Sequence, residues 1–215
     1  MLRIYGKTLL ERVIERAKII DGADTIILAT STLQADDILA EHALKNGIKI
    51  FRGSLENVAE RALGVCEEYK VQKFARVCGD RPFFEPKLVS SLIYSHNKLK
   101  VDIATTTFPR TYPPGLTGEV LSTNALRLGY PKMNKSDKEH LTTYFYRNYQ
   151  NFRIYSHPAP KNLDMKGIDL CVDDQIGLDK AEWIASQLNY DIGSDTETGR
   201  IIELARQWKY QKSVS

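Results

Sequence analysis

The chain has 215 residues, 42% of them apolar and 27% charged, with 30 basic against 27 acidic residues for a formal net charge of +3. That is enough chain for one sizeable domain with a real core, and the near-balance of charge gives no reason to expect a nucleic-acid or membrane partner. Three cysteines (Cys66, Cys78, Cys171) lack metal-ligand spacing, no apolar run approaches the roughly 20 residues that span a bilayer, and the N-terminus has no signal-peptide core, so a cytoplasmic setting is expected.

Residues 8–20 have the spacing of an amphipathic helix. Leu9, Leu10, Val13, Ile14 and Ala17 share one face, Thr8 is a candidate N-cap, and Asp21-Gly22 a candidate stop. Residues 25–30 form a β-branched, nearly continuous apolar run, the mark of a strand covered on both faces. Residues 36–46 return to helical spacing, and Gly47 closes that helix. A second strand is predicted over 48–51, a helix opening at Ser54-Leu55-Glu56-Asn57 and running to about Tyr69, and a third strand before Asp80. A helix over 85–97 and a strand over 101–106 continue the alternation. Strand and helix at such spacing predict a parallel sheet with helices on both faces.

The second half is less regular. Residues 109–118, rich in proline and glycine, predict a loop leading into a strand at 119–121. A short helix is expected over 123–128, a longer one over 136–149, and a strand over 152–155. Residues 168–172 alternate like a strand and end at Asp173-Asp174. Helices through 176–188 and 196–208 complete the reading, with a frayed tail over 209–215.

The chemistry-bearing residues sit where these strands stop. The run from Phe74 to Gly79 breaks at Asp80-Arg81-Pro82, which puts a carboxylate at a C-terminal sheet edge, where open α/β sheets bind ligands. Asp173 ends a second predicted strand in the same way. Two carboxylates from separate strands suit one hard divalent cation, with substrate phosphates and waters completing its shell. The bland alternatives are a turn for Asp80 and helix capping for Asp173-Asp174. No Gly-x-Gly-x-x-Gly follows a predicted strand and no Gly-x-x-x-x-Gly-Lys-Ser/Thr occurs, which disfavours dinucleotide-binding oxidoreductases and P-loop ATPases.

Several motifs in order resemble the cytidylyltransferases of sugar-acid activation, in the branch named for spore coat polysaccharide biosynthesis protein F. Arg76-Val77-Cys78-Gly79-Asp80-Arg81-Pro82 is similar to that family's Arg-(Val/Ile)-x-Gly-Asp-x-Pro. Phe51-Arg52-Gly53-Ser54 followed by Val58 and Arg61 is similar to its Phe-Arg-Gly-Ser-x-x-x-Val-x-x-Arg. Pro114-Gly115-Leu116, Glu119-Val120, Glu139-His140 with Thr143-Tyr144, and Val172-Asp173 follow in the family's order, and the resemblance runs from Met1 to about Leu188.

The resemblance implies a three-layer α/β sandwich of the nucleotide-diphospho-sugar transferase (Rossmann-like) type, with a mostly parallel sheet. It also implies transfer of CMP from CTP to a sugar acid with Mg²⁺ as cofactor. Asp80 and Asp173 take the positions of the metal ligands and catalytic carboxylates. Ala29-Thr30-Ser31, Arg52-Gly53-Ser54, Arg76 and Gly79 fall on the nucleotide side, and Gly115, Glu119, Glu139 and His140 on the sugar side. For His140 a purely structural hydrogen bond is an equal expectation. A homodimer through residues 109–155 is implied as well, although the aromatic run at Tyr144, Phe145, Tyr146 and Tyr149 suits a core helix equally.

One part of the family pattern is not matched. Its first strand and a loop like Ala-Arg-x-Gly-Ser-x-Arg-Leu-Pro-Gly-Lys have no counterpart in this sequence; Met1-Leu2-Arg3-Ile4 aligns just after them. The expectation is an N-terminally incomplete single domain over 1–208 with impaired catalysis. A non-catalytic nucleotide- or sugar-binding protein on the same fold and a glycosyltransferase are the alternatives. The single carboxylate in Cys78-Gly79-Asp80-Arg81-Pro82, where glycosyltransferases carry Asp-x-Asp, weighs against the latter.

Overall fold

The structure, a computed structural model, describes residues 1–161, 166–188 and 198–214. The chain opens with a small antiparallel hairpin, β1 (Arg3–Ile4) and β2 (Lys7–Thr8). Its turn residues Tyr5 and Gly6 both have positive φ, 44° and 82°, the backbone that a two-residue hairpin turn of matching twist requires. Thr8 then caps α1 (Leu9–Ala17) in a capping box with Glu11, a device worth about 1 kcal/mol.

Next come β3 (Ile27–Ser31), α2 (Asp37–Lys45) and β4 (Lys49–Gly53). β3 and β4 pair in parallel from Ile27↔Lys49 to Ser31↔Gly53. The expected strand at 48–51 thus runs two residues further, because Arg52 and Gly53 stay in the ladder. After α3 (Val58–Glu68), capped by Asn57, come β5 (Lys73–Arg76), α4 (Pro86–Leu99), β6 (Ile103–Thr105), β7 (Glu119–Ser122) and α5 (Thr123–Gly129). Two five-residue helices, α6 (Lys135–Glu139) and α7 (Thr143–Arg147), lead to β8 (Ile154–Ser156). The chain closes with α8 (Gln175–Gln187) and α9 (Thr198–Val214).

The second sheet has the order β5-β7-β6-β8. β6 and β8 are parallel, and β7 enters antiparallel between β5 and β6. Helices cover both faces, which gives the expected three-layer α/β arrangement. On one face α1 and α4 pack Val13, Leu92 and Ile93 against Ala104 and Val120. On the other, α3, α5 and α7 pack Ala59, Leu126 and Phe145 against Ile103 and Leu121. α1 and α2 share the first of these faces at β3, where Leu10, Ile14 and Ala43 meet Leu28. α8 and α9 bury Ile184, Ile201 and Leu204 with Ile4, Phe83 and Leu170. No helix among the described residues is long and apolar enough to cross a membrane.

Three expectations are corrected. The single helix over 136–149 is two: His140 leaves helical geometry at φ −101°, ψ 62°, and its carbonyl accepts from both the Thr143 amide and hydroxyl. Three β-branched or polar residues around that break favour local bonds over a continuous helix. Residues 168–172 form no ladder. Ile168, Leu170 and Val172 alternate because they bury into the core under α8 and α9, while the Leu170 and Val172 amides donate to the loop carbonyls of Pro114 and Asp80. The last helix continues through Lys209 to Val214 instead of fraying there, and its expected start at Thr196 lies outside the described residues. Of the aromatic run, Tyr144 and Phe145 are buried, Tyr146 is half-buried, and Tyr149 is exposed.

Candidate functional site

β5 delivers Asp80 to the sheet edge through residues 77–79, which turn at Gly79, and Pro82 prevents the ladder from continuing. The backbone carbonyl of Asp80 accepts from the Val172 amide at 2.9 Å, which ties the two loops together. Gly115 makes that docking tight. Its φ is +89°, and a Cβ there would sit 2.6 Å from the Leu170 backbone, so the position needs glycine on both counts. The result is a cluster in which carboxylate oxygens of Asp80 and Asp173 and the sulfur of Cys171 all lie within 4.8 Å of one another.

Asp173 and Asp174 divide the two roles left open by the sequence. Asp174 is the N-cap of α8, its Oδ1 accepting from the Gly177 amide at 2.7 Å. Asp173 instead points toward Asp80. Its pKa is raised above the ordinary carboxylate range, first by desolvation, then by the charge of Asp80 and the hydrogen bond with it; Asp169 adds to the shift and Arg81 opposes it. Asp80 Oδ1 is shielded from solvent and has no hydrogen-bond partner. Arg81 lies alongside, its Nε 3.9 Å from that oxygen and its Nη1 bonded to Thr117 Oγ1 at 2.8 Å.

The residues therefore fit a divalent cation: an unpartnered carboxylate oxygen faces a second carboxylate whose charge it destabilises. Cys171 is a poor ligand in its ground state. Burial, then the neighbouring Asp80, pushes its thiol up to about 12, so the sulfur stays protonated. A hard, oxygen-preferring ion such as Mg²⁺ suits this set better than a soft one.

Most of the residues expected on the nucleotide side lie on β3 and β4 and the loops after them. Ala29 is exposed on β3. Thr30 Oγ1 and Ser31 Oγ both donate to Asp36, at 2.7 and 2.6 Å, and these bonds hold its carboxyl below the ordinary range. Arg52 bonds the Ser31 carbonyl at 2.9 Å, the Leu33 carbonyl at 2.8 Å and Asp37. These side chains shape the loop after β3. A Cβ at Gly53 would lie 2.9 and 3.1 Å from side-chain atoms of Phe51 and Arg61, which would have to shift, whereas Gly79 stands in open space. Ser54 Oγ accepts from the Asn57 amide, and its carbonyl accepts from Arg61.

Of the residues expected on the sugar side, Glu119 is buried in a polar knot. It pairs with Arg76 at 3.2 Å and accepts from Thr107 Oγ1 at 3.0 Å and from the Tyr146 hydroxyl. Burial, then the Glu119 charge, keeps that phenol protonated by raising its pKa. Glu139 and His140 lie exposed at the end of α6 and do not join the Asp80 cluster. Sequence reasoning did not single out Arg81 or Cys171 for the site. Arg81 lay inside the quoted motif; Cys171 read only as an apolar position in a presumed strand.

A family model described as cytidylyltransferase matches residues 1–199. The chain is 31% identical over 168 residues to spore coat polysaccharide biosynthesis protein SpsF of Bacillus subtilis, a match covering 77% of this chain and 68% of that protein. Among solved structures, a cytidylyltransferase from Leptospira borgpetersenii superposes with a TM-score of 0.85 at 22% identity, over 99% of this chain and 87% of that one. CMP:2-keto-3-deoxy-manno-octonic acid synthetase, solved in complex with CTP, superposes with a TM-score of 0.63 at 18% identity, over 87% and 91% of the two chains. Both structural likenesses bear on the fold.

Proposed function

The chain belongs to the cytidylyltransferase family, and from that premise we propose that it transfers CMP from CTP to a sugar acid in making a polysaccharide precursor. The observation that carries the proposal is the meeting of Asp80 and Asp173 within 4.8 Å at one sheet edge, with an Asp80 oxygen left unpartnered. In the reaction an oxygen of the sugar attacks the α-phosphorus of CTP. The new O–P bond forms as the bond to the β-phosphate oxygen breaks, the sugar hydroxyl loses its proton, and pyrophosphate leaves. Such a transfer needs in-line positioning and neutralisation of phosphate charge more than a covalent nucleophile.

Asp80 and Asp173 would hold the Mg²⁺, which when bound supplies positive charge to the phosphate oxygens. Thr117 holds the Arg81 guanidinium beside Asp80, where it adds fixed positive charge at the same edge. The loop after β3, braced by Asp36 and Arg52, presents backbone for a pyrimidine and its ribose. Arg76 is engaged by Glu119, and together they give the sheet edge a rigid polar floor. The test is pyrophosphate release with Mg²⁺, each of the four ribonucleoside triphosphates and a panel of sugar acids. Release with CTP and a sugar acid alone is the expected result. Equal release from ATP, or none with CTP and any sugar acid, would contradict the proposal.

A further inference from the structure

Cys171 is the member of the Asp80–Asp173 cluster that the proposed reaction does not use. The segment from Ile168 to Val172 alternates, with Ile168, Leu170 and Val172 turned into the core under α8 and α9. Cys171 therefore faces the opposite way, onto the two carboxylates. Its backbone is pinned on each side. The Cys171 amide donates to Asp169 Oδ1 at 2.9 Å, and the flanking Leu170 and Val172 amides donate to the Pro114 and Asp80 carbonyls at 3.0 and 2.9 Å. Its carbonyl packs against Gly177, where a Cβ would lie 2.8 Å away. Cys171 is 9% exposed, and a side chain so buried on a pinned backbone presents its sulfur at a fixed place.

Two carboxylates and a thiol discriminate among ions. Mg²⁺ takes oxygen ligands in a near-ideal octahedron and keeps several waters, so it uses Asp80 and Asp173 and passes the thiol by. An ion with strong affinity for sulfur behaves otherwise: it displaces the thiol proton to water and takes the thiolate as a ligand. A tetrahedral Zn²⁺, about 2.3 Å from sulfur and about 2.0–2.2 Å from each carboxylate oxygen, spaces such donors about 3.6 Å apart. The three donor atoms here lie within 4.8 Å of one another, so closing on the ion takes shifts of about an ångström. Asp80 Oδ1, shielded from solvent and without a hydrogen-bond partner, has a lone pair ready for it. Three protein ligands leave a tetrahedral ion one open position, too few for the phosphates and waters that Mg²⁺ carries.

We propose that Cys171 makes this edge an inhibitory site for a thiophilic divalent ion of the Zn²⁺ class, bound through the Cys171 sulfur and one oxygen each of Asp80 and Asp173, which excludes Mg²⁺. This rests on Asp80 and Asp173 being the Mg²⁺ ligands, as proposed above; Cys171 adds a third ligand of opposite preference. A thiolate adds affinity for Zn²⁺ and none for Mg²⁺, so a small concentration of the first displaces a large one of the second.

The test titrates Co²⁺, a coloured stand-in for Zn²⁺, into the full chain with a non-thiol reductant and follows absorbance in the wild type, Cys171→Ser, Cys78→Ser and Asp80→Asn. Mn²⁺ bound to each is read by electron paramagnetic resonance before and after Zn²⁺ is added. The wild type and Cys78→Ser should show a sulfur-to-cobalt charge-transfer band in the near ultraviolet at one ion per chain, and Cys171→Ser should lack it. Zn²⁺ should release Mn²⁺ from the wild type at a concentration at least about tenfold lower than from Cys171→Ser, whose own Mn²⁺ affinity stays within about threefold of the wild type. Asp80→Asn should weaken Mn²⁺ and Co²⁺ together; if Cys171→Ser does not fold, survival of the band in Cys78→Ser and its loss in Asp80→Asn still decide. A wild type that binds Mn²⁺ but gives Co²⁺ no sulfur band, or a band that persists in Cys171→Ser or in Asp80→Asn, would overturn the inhibitory site and leave the Mg²⁺ ligands to their own test. A wild type that binds neither Mn²⁺ nor Co²⁺ would overturn both.

Discussion

Asp80 Oδ1 has no hydrogen-bond partner and lies 3.9 Å from Arg81 Nε, and carboxylate oxygens of Asp80 and Asp173 lie within 4.8 Å of each other. A buried acceptor without a partner costs about 1–3 kcal/mol, and like charges at that distance raise the pKa of one group. A cation removes both penalties, which is the physical case for a metal at this edge. Cys171 is drawn into the same field and responds oppositely to a reactive cysteine. With its thiol pushed up to about 12, it holds roughly a thousandth of the thiolate of an ordinary cysteine at pH 8. Timed alkylation at pH 8 with peptide mass spectrometry should label Cys78, which is half-buried, well before Cys171. Equal rates would show that the field around Asp80 is not as described. The sequence showed the two carboxylates but not the thiol between them, because a cysteine in an alternating apolar run carries no sign of the loop that turns it inward.

At the scale of elements, local signals were legible where they are local. Thr8, expected as an N-cap, caps α1, and the strands at 25–30 and 101–106 were found within two residues of their ladders. The failures came where long-range partners decide. Alternation at 168–172 records burial of Ile168, Leu170 and Val172, not ladder pairing, and only the fold shows that the amides there bond to Pro114 and Asp80. Likewise Asp173 and Asp174 both qualified as caps, and the bond to the Gly177 amide selects Asp174. Asp174→Ala should therefore cost about 1 kcal/mol and lower Tm by roughly 2–4 °C, measured by calorimetry, whereas Asp173→Ala should leave Tm unchanged or raise it by relieving its repulsion with Asp80. A larger loss for Asp173→Ala would reverse the assignment.

Over the whole molecule, the α/β class and the layering were written in the strand-helix alternation of the first hundred residues, but sheet order was not. β7 enters antiparallel between β5 and β6, a placement set by which edges remain to be paired after the loop at 109–118 turns back. The same assembly brings Asp80 and Asp173 from opposite halves of the chain to one point, and that convergence is the account's central claim. Its most direct measurement is Mn²⁺ titration by electron paramagnetic resonance on the wild-type chain and on Asp80→Asn, Asp173→Asn and Asp174→Asn. The expected result is a site whose Mn²⁺ affinity falls at least about tenfold in the first two variants and holds in the third. Undiminished binding in Asp80→Asn and Asp173→Asn would contradict it.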